Sequence, residues 1–348
     1  MMDEHPPAIT HSWIRTLTRR VCRRPFKRPT KRVAIVIPLT SDPSFGPDEE
    51  TSLRHWQRYL SGYDTYFLAP RGCGIERDGI ETKCFPRRFF GSVARHNQLL
   101  WSPGFYREFE DYEYIFFHHL DSLVFRDELE KWCDEGYDFI GPPWIITEQT
   151  PWVKEPGVGN GGFALFNIRS KLEVLYRIYE HDPLRYWMRY LTMFPSLAWA
   201  PMACCRALWK LRLRPKLLEG IIYEWKATLF NSAKWGRSPD VFFGTLAKNY
   251  DSQWNPAPVD RALRFAFEAD PLRCSELADG HMPFGCHAWA RYDRAFWEPH
   301  LIGPDKNATN LSGNLSFPPS DGRGQVVEDG ALLLQPTEPD HECIEEDP

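Results

Sequence analysis

Apolar residues follow two alternating rhythms along this chain. Val33-Ala-Ile-Val-Ile-Pro38 is a near-continuous apolar run, the pattern of a strand covered on both faces. A turn-rich stretch follows, and from Asp48 apolar positions recur at Leu53, Trp56 and Leu60, which is helical spacing. The same reading predicts strands at residues 65–69, 80–85 and 114–117, helices at 91–101 and 104–109, a helix near 128–133 and a strand-like piece at 137–141. Another apolar run covers 164–168. Strands separated by helices imply parallel pairing with right-handed crossovers, so the expected fold class is α/β: a Rossmann-like, mostly parallel sheet flanked by helices.

At 348 residues, with 43% hydrophobic and 15% aromatic content, the chain can bury a large core without covalent staples. Its net charge of −5 gives no reason to expect a nucleic-acid partner. The nine cysteines contain no C-x-x-C pair, which points to reduced thiols in a cytosolic compartment rather than a disulfide framework or zinc site.

The charge is uneven. Residues 1–31 form a basic arm, with Arg15, Arg19, Arg20, Arg23, Arg24, Lys27, Arg28 and Lys31 close together and no apolar core of signal-peptide length after them. A solvated, disordered tail and a short amphipathic helix on anionic lipid are both open readings. The ordered domain is expected at 32–302, interrupted at about 182–235 by an aromatic, basic insertion. The longest uncharged run there, 191–205, contains Pro195 and Pro201 and falls short of the roughly twenty residues that span a bilayer. The insertion is then either a membrane-interface element or a helical subdomain over a cleft. Residues 303–348 read as a disordered acidic tail.

Three stretches carry candidate chemistry. The strand at 114–117 runs directly into His118, His119 and Asp121, where open α/β sheets bind ligands. Strand alternation would put His119 and Asp121 on one face and His118 on the other, giving a paired ligand set, whereas the plain alternative is a capped turn. Val158-Gly-Asn-Gly-Gly-Phe163 offers positive φ angles and bare backbone to a ligand, yet it lacks the ending of a phosphate loop and the spacing of a dinucleotide fingerprint. Ser238-Pro-Asp240 reads as a capped helix start, a setting that favours a carboxylate with or without chemistry.

Taken in order, the strand ending in Asp121, the Gly-Asn-Gly-Gly-Phe loop, Pro239-Asp-Val-Phe-Phe243 and Pro283-Phe-Gly-Cys-His-Ala-Trp289 resemble a glycosyltransferase of the GT-A type. More closely, they resemble an uncharacterised bacterial family of proposed glycosyltransferases classed as a domain of unknown function, over roughly residues 33–299. The resemblance implies that Asp121 matches an aspartate of the Asp-x-Asp motif, which holds a nucleotide-sugar and a divalent metal. In one register Leu123 replaces the second carboxylate, and in the other His119 replaces the first. His287 matches the C-terminal histidine of the metal site. Manganese or magnesium is the implied cofactor, and imidazole ligation favours manganese. Asp240 matches the final aspartate of the acidic motif, with Pro239 where a glutamate is usual, and would be the general base of an inverting transfer.

The resemblance further implies a donor pocket formed by Pro38, Leu39, Thr40, Arg95, Asn97, His119 and Asp121. Arg95 would face the diphosphate and Asn97 the base. The sugar or acceptor would meet Trp144, Gly159, Asn160, Gly161, Gly162 and Phe163, with Trp144, Trp152 and Phe163 as stacking faces. A glycan or lipid-linked acceptor at the cytoplasmic face of a membrane completes this expectation. The rival expectations are a silent nucleotide-sugar or glycan binder of the same fold and a membrane-associated scaffold.

Overall fold

A computed structural model describes residues 25–39, 44–73, 75, 77–181 and 238–303. Thr40, most of the basic arm, the 182–235 insertion and nearly all of the C-terminal tail lie outside the described residues.

The main sheet is built from β1 (Lys31–Pro38), β2 (Thr65–Pro70), β3 (Glu81–Phe85), β4 (Tyr112–His118), β6 (Phe139–Ile140) and β9 (Phe163–Asn167) in the order β3-β2-β1-β4-β9-β6. Pairing is parallel from β3 through β4, while β9 runs antiparallel to both β4 and β6. The α/β class with a mostly parallel sheet is therefore the observed one. A smaller sheet joins β5 (Leu123–Val124), β10 (Ala266–Phe267) and β11 (Gly285–Cys286), and β7 (Pro143–Trp144) pairs with β8 (Gly157–Val158).

The apolar run of β1 is continuous because the strand lies in the middle of the sheet, and Ala34 to Ile37 are fully buried. Helix α1 (Pro47–Leu60) opens with Pro47 and an acidic first turn, and the Gly46 N–H donates to Glu49 Oε2 at 2.8 Å. Its Leu53, Trp56 and Leu60 face the core. Between β3 and β4 come α2 (Val93–Leu100) and α3 (Pro103–Arg107). Helix α4 (Leu129–Asp134) follows β5, and α5 (Ile168–His181) begins directly where β9 ends. After the insertion come α6 (Pro239–Thr245) and α7 (Val259–Phe265). No described helix is long and apolar enough to cross a membrane.

The connection from β1 leads to β2 on one side, and β4 later pairs on the other. The crevice between the carboxyl ends of β1 and β4 is thus a topological switch point, where ligands bind in such sheets. Three registers converge on it. Phe163 pairs with His118 antiparallel, so Gly162 meets His119, whose N–H donates to the Gly162 carbonyl at 2.8 Å. Cys286 pairs with Leu123 antiparallel, which brings His287 back towards Asp121. Phe267 pairs with Cys286 in parallel, which sets Glu268 beside His287.

Candidate functional site

His119, Asp121 and His287 each offer a ligand atom, and these atoms lie within 4.8 Å of one another. His119 and Asp121 do not share a face through strand alternation as expected, because β4 ends at His118. A tight turn closed by the Ser122 N–H on the His119 carbonyl, 3.0 Å, brings them together instead. His118 is buried among Phe116 and Phe163. Burial pushes its pKa down to about 4.

The electrostatics divide the histidines. Burial takes His119 down to about 3, so its ring is neutral and keeps a lone pair; its Nε2 is buried without a hydrogen-bond partner. Burial also acts downward on His287, but Asp121 and then Glu268 outweigh it and lift His287 to about 10. His287 Nε2 is 3.3 Å from Asp121 Oδ1 and Nδ1 is 3.0 Å from Glu268 Oε1. Asp121 in turn is held well below the usual carboxylate range: burial opposes this, and the charge of His287 overrides it. The Asp121 side chain is 46% exposed against 6% for His287, so the cluster is closed behind and open at its carboxylate. Once an ion displaces the His287 proton, two imidazoles and a carboxylate with an open side suit a divalent transition ion better than magnesium, which prefers an all-oxygen shell.

A second ring of contacts supports the cluster. Asn160 Nδ2 donates to Glu268 Oε1 at 2.6 Å, and Asn160 Oδ1 accepts from the Gly162 N–H at 2.7 Å. The His96 ring on α2 lies 5.8 Å from that of His119, centroid to centroid. Glu268 and His96 were not among the residues expected at the site. Glu268 follows an apolar Phe-Ala-Phe run, but a strand of two residues is too short for periodicity to register.

Asp240 sits in the first turn of α6 against the same loop. A Cβ on Gly161 would stand 3.4 Å from Asp240 Cβ, while one on Gly162 would stand 2.0 Å from His287 Nε2. Asp240 and His287 therefore pack on neighbouring glycines of one loop. Burial raises the Asp240 pKa, opposed by hydrogen bonds from Ser238 and the Val241 N–H. Asn97 donates to Ser238 Oγ at 3.4 Å and so reaches this carboxylate through the cap residue. Lys171 on α5 is buried nearby, its Nζ 3.1 Å from the Phe243 ring centroid. Burial pushes its pKa well down, and the Asp240 charge acts the other way.

Other expected residues are placed differently. None of the glycines in 159–162 has a positive φ. Close approach is what requires them, since a Cβ on Gly159 would meet the Trp144 ring at 2.2 Å. Phe163 cannot serve as a sugar-stacking face: it is fully buried among Phe116, Phe265 and Phe284, because its place in β9 points it into the core. Leu39 is buried in the core beyond β1, and Pro38 is half-buried at the strand end. Arg95 is exposed and donates to the Phe90 carbonyl at 3.4 Å. Trp152 is 49% exposed on the loop after β7.

The family model described as Protein of unknown function (DUF5672) matches residues 79–287, a stretch that includes His96, His119, Asp121, Asp240, Glu268 and His287. No curated protein matches the sequence. Among solved structures, the apo form of the glycosyltransferase GlyE of Streptococcus pneumoniae TIGR4 is similar at 14% identity and a TM-score of 0.35. The similarity covers 79% of this chain and 61% of that one, so the chain spans about three fifths of the length of that structure.

Proposed function

Since the chain belongs to the DUF5672 family, which carries no assigned activity, we propose from its own geometry that it is a GT-A-type glycosyltransferase. In this reading it moves a sugar from a nucleotide donor to a hydroxyl of a glycan or lipid-linked acceptor, with inversion. One observation carries the reading: an imidazole and carboxylate cluster, open on its Asp121 side, shares a glycine loop with an acidic side chain whose pKa is raised. Both lie by the carboxyl-end crevice of a mostly parallel sheet.

His119, Asp121 and His287 would hold a divalent metal, manganese by the chemistry of the donor set. Bound there, it would neutralise charge on the departing diphosphate. Asp240 accepts the proton of the attacking hydroxyl. Its raised pKa suits it to the task, and the Ser238 hydroxyl and Val241 N–H orient it. Asn160 and Glu268 hold His287 in place, and Trp144, whose ring comes up against the Gly159 backbone, would offer a stacking face. The aromatic and basic insertion at 182–235, read from sequence alone, would bring a lipid-linked acceptor to this cleft.

The experiment is release of nucleoside diphosphate from a panel of nucleotide-sugars with manganese and varied acceptors, in wild type, Asp240→Asn and Asp121→Asn. The expected result is release by wild type from one donor, with Asp240→Asn lower by about 100- to 10,000-fold. Donor binding without release in wild type would make the protein a silent binder instead.

A further inference from the structure

Lys171 is a buried amine that the proposed chemistry does not use. It stands in the first turn of α5 and is 1% exposed. Lysine is almost never fully buried unless something compensates its charge, and a cation at the start of a helix also faces the wrong end of the helix dipole. Two aromatic faces offset part of that penalty. Nζ lies 3.1 Å from the ring centroid of Phe243 and 3.7 Å from that of Phe166, with the Tyr106 ring further off at 5.5 Å. Ring faces attract an ammonium and not a neutral amine, the more so away from water.

The same rings fix where the ammonium lies. Phe166 belongs to β9, the strand that the glycine loop leads into, and Phe243 belongs to α6. Asp240 comes one helical turn before Phe243, and residues at that spacing share a helix face. Lys171 is therefore packed against the face of α6 that carries the acid. Among the described residues, Asp240 is the charge that favours the protonated form of Lys171 against burial. Around Asp240 itself, burial acts first and Glu268 adds a like charge, both pushing its pKa up. The Ser238 hydroxyl and the Val241 and Gly161 N–H groups act downward. Lys171 supplies the opposite charge.

We propose that Lys171 is a positioning residue for Asp240: clasped between the Phe166 and Phe243 rings, its ammonium is the internal counter-charge that keeps this acid ionised against the glycine loop. The inference rests on the transferase reading only for what the ionised acid does there, which is to accept a proton. A base left protonated at neutral pH by burial and by Glu268 would be idle. The lysine thus sets the pH range in which Asp240 can work, and it acts only through Asp240.

Carbon-13 NMR of the metal-free full chain, labelled at the aspartate carboxyl carbons, tests the pairing; the Asp240 signal is the one lost in Asp240→Asn. In Lys171→Met, whose side chain has similar length and suits an aromatic box, the Asp240 midpoint should rise by about one pH unit or more. In Lys171→Arg, which keeps the charge, it should rise by less. With an active donor, the acid limb of the release profile should move up by the same amount in Lys171→Met, a shift that a purely structural lysine would not cause. Should Lys171→Met fail to fold, the pair is read from the other side, and the Lys171 side-chain signal should titrate lower in Asp240→Asn than in wild type. An unmoved Asp240 midpoint in folded Lys171→Met overturns the pairing, as does an equal rise in Lys171→Arg. Where Lys171→Met does not fold, an unmoved Lys171 midpoint in Asp240→Asn overturns it. A shifted midpoint with no release from any donor removes the transferase reading and leaves the pairing. Release that persists while midpoint and profile stay unmoved removes this inference alone.

Discussion

Glu268 Oε1 stands 3.0 Å from His287 Nδ1, on the opposite side of the ring from Asp121. That contact leaves Nε2 as the nitrogen facing the open cluster, in the way that a carboxylate behind a histidine sets ring orientation and raises its basicity as a ligand. Glu268 was invisible as a site residue in the sequence, yet its carboxylate also receives Asn160, so it ties the glycine loop to the histidine.

Glu268→Gln should therefore weaken manganese binding by about 10- to 100-fold while leaving the fold intact. Calorimetric titration of manganese, beside a circular dichroism melt, checks this. Unchanged affinity would make Glu268 a plain packing residue.

The two glycines beneath the site should differ sharply. A methyl group on Gly162 would come within 2.0 Å of His287 Nε2, whereas on Gly161 the nearest atom, Asp240 Cβ, is 3.4 Å away. Gly162→Ala is expected to destabilise by about 1–3 kcal/mol and to remove manganese binding, because the ring must leave the cluster. Gly161→Ala should retain manganese binding with a smaller loss of stability. Denaturant unfolding of the pair is the measurement, and equal losses would contradict it.

His55 gives the fold an acid sensitivity. Its Nδ1 lies 2.8 Å from the Val124 carbonyl and its Nε2 accepts from the Ile302 N–H at 3.0 Å, an arrangement that needs the neutral ring. Burial lowers its pKa from the ordinary 6.5. With the folded value depressed, the unfolded chain takes up the proton first, so stability is full above about pH 6.5 and falls as pH drops towards the folded pKa. Denaturant unfolding at about pH 7.5 and about pH 5.5 should show wild type losing more stability than His55→Gln, by up to about 1.4 kcal/mol per pH unit. Identical pH slopes in the two proteins would assign the effect elsewhere.

Phe163 should behave as core. Phe163→Ala is expected to destabilise by about 3–5 kcal/mol, since it empties the space between Phe116, Phe265 and Phe284. Nucleotide-sugar binding by the remaining folded protein should be unchanged, measured by titration below the unfolding transition. A variant of wild-type stability with altered sugar affinity would restore the stacking role.

The order of strands and helices in the amino-terminal half was legible because it is written locally. Residues 33–38 must be a central strand since no polar position interrupts them, and Leu53, Trp56 and Leu60 admit a helix and little else. The residues of the candidate cluster were legible one at a time, through a polarity change at a strand end, a glycine run and a helix start. Their partners were not. Asp121, His287 and Glu268 meet because Cys286 pairs with Leu123 on one side and Phe267 on the other, and strands of two residues leave no periodic trace. The need for glycine at 162 likewise comes from a ring 125 positions later in the chain, and the burial of Phe163 from aromatic neighbours on β4 and beyond. Local sequence determined which segments form strands and helices and where chemistry-bearing side chains interrupt them. Pairing between distant segments, set by burial and main-chain hydrogen bonding over the whole molecule, decided which of those side chains share a site.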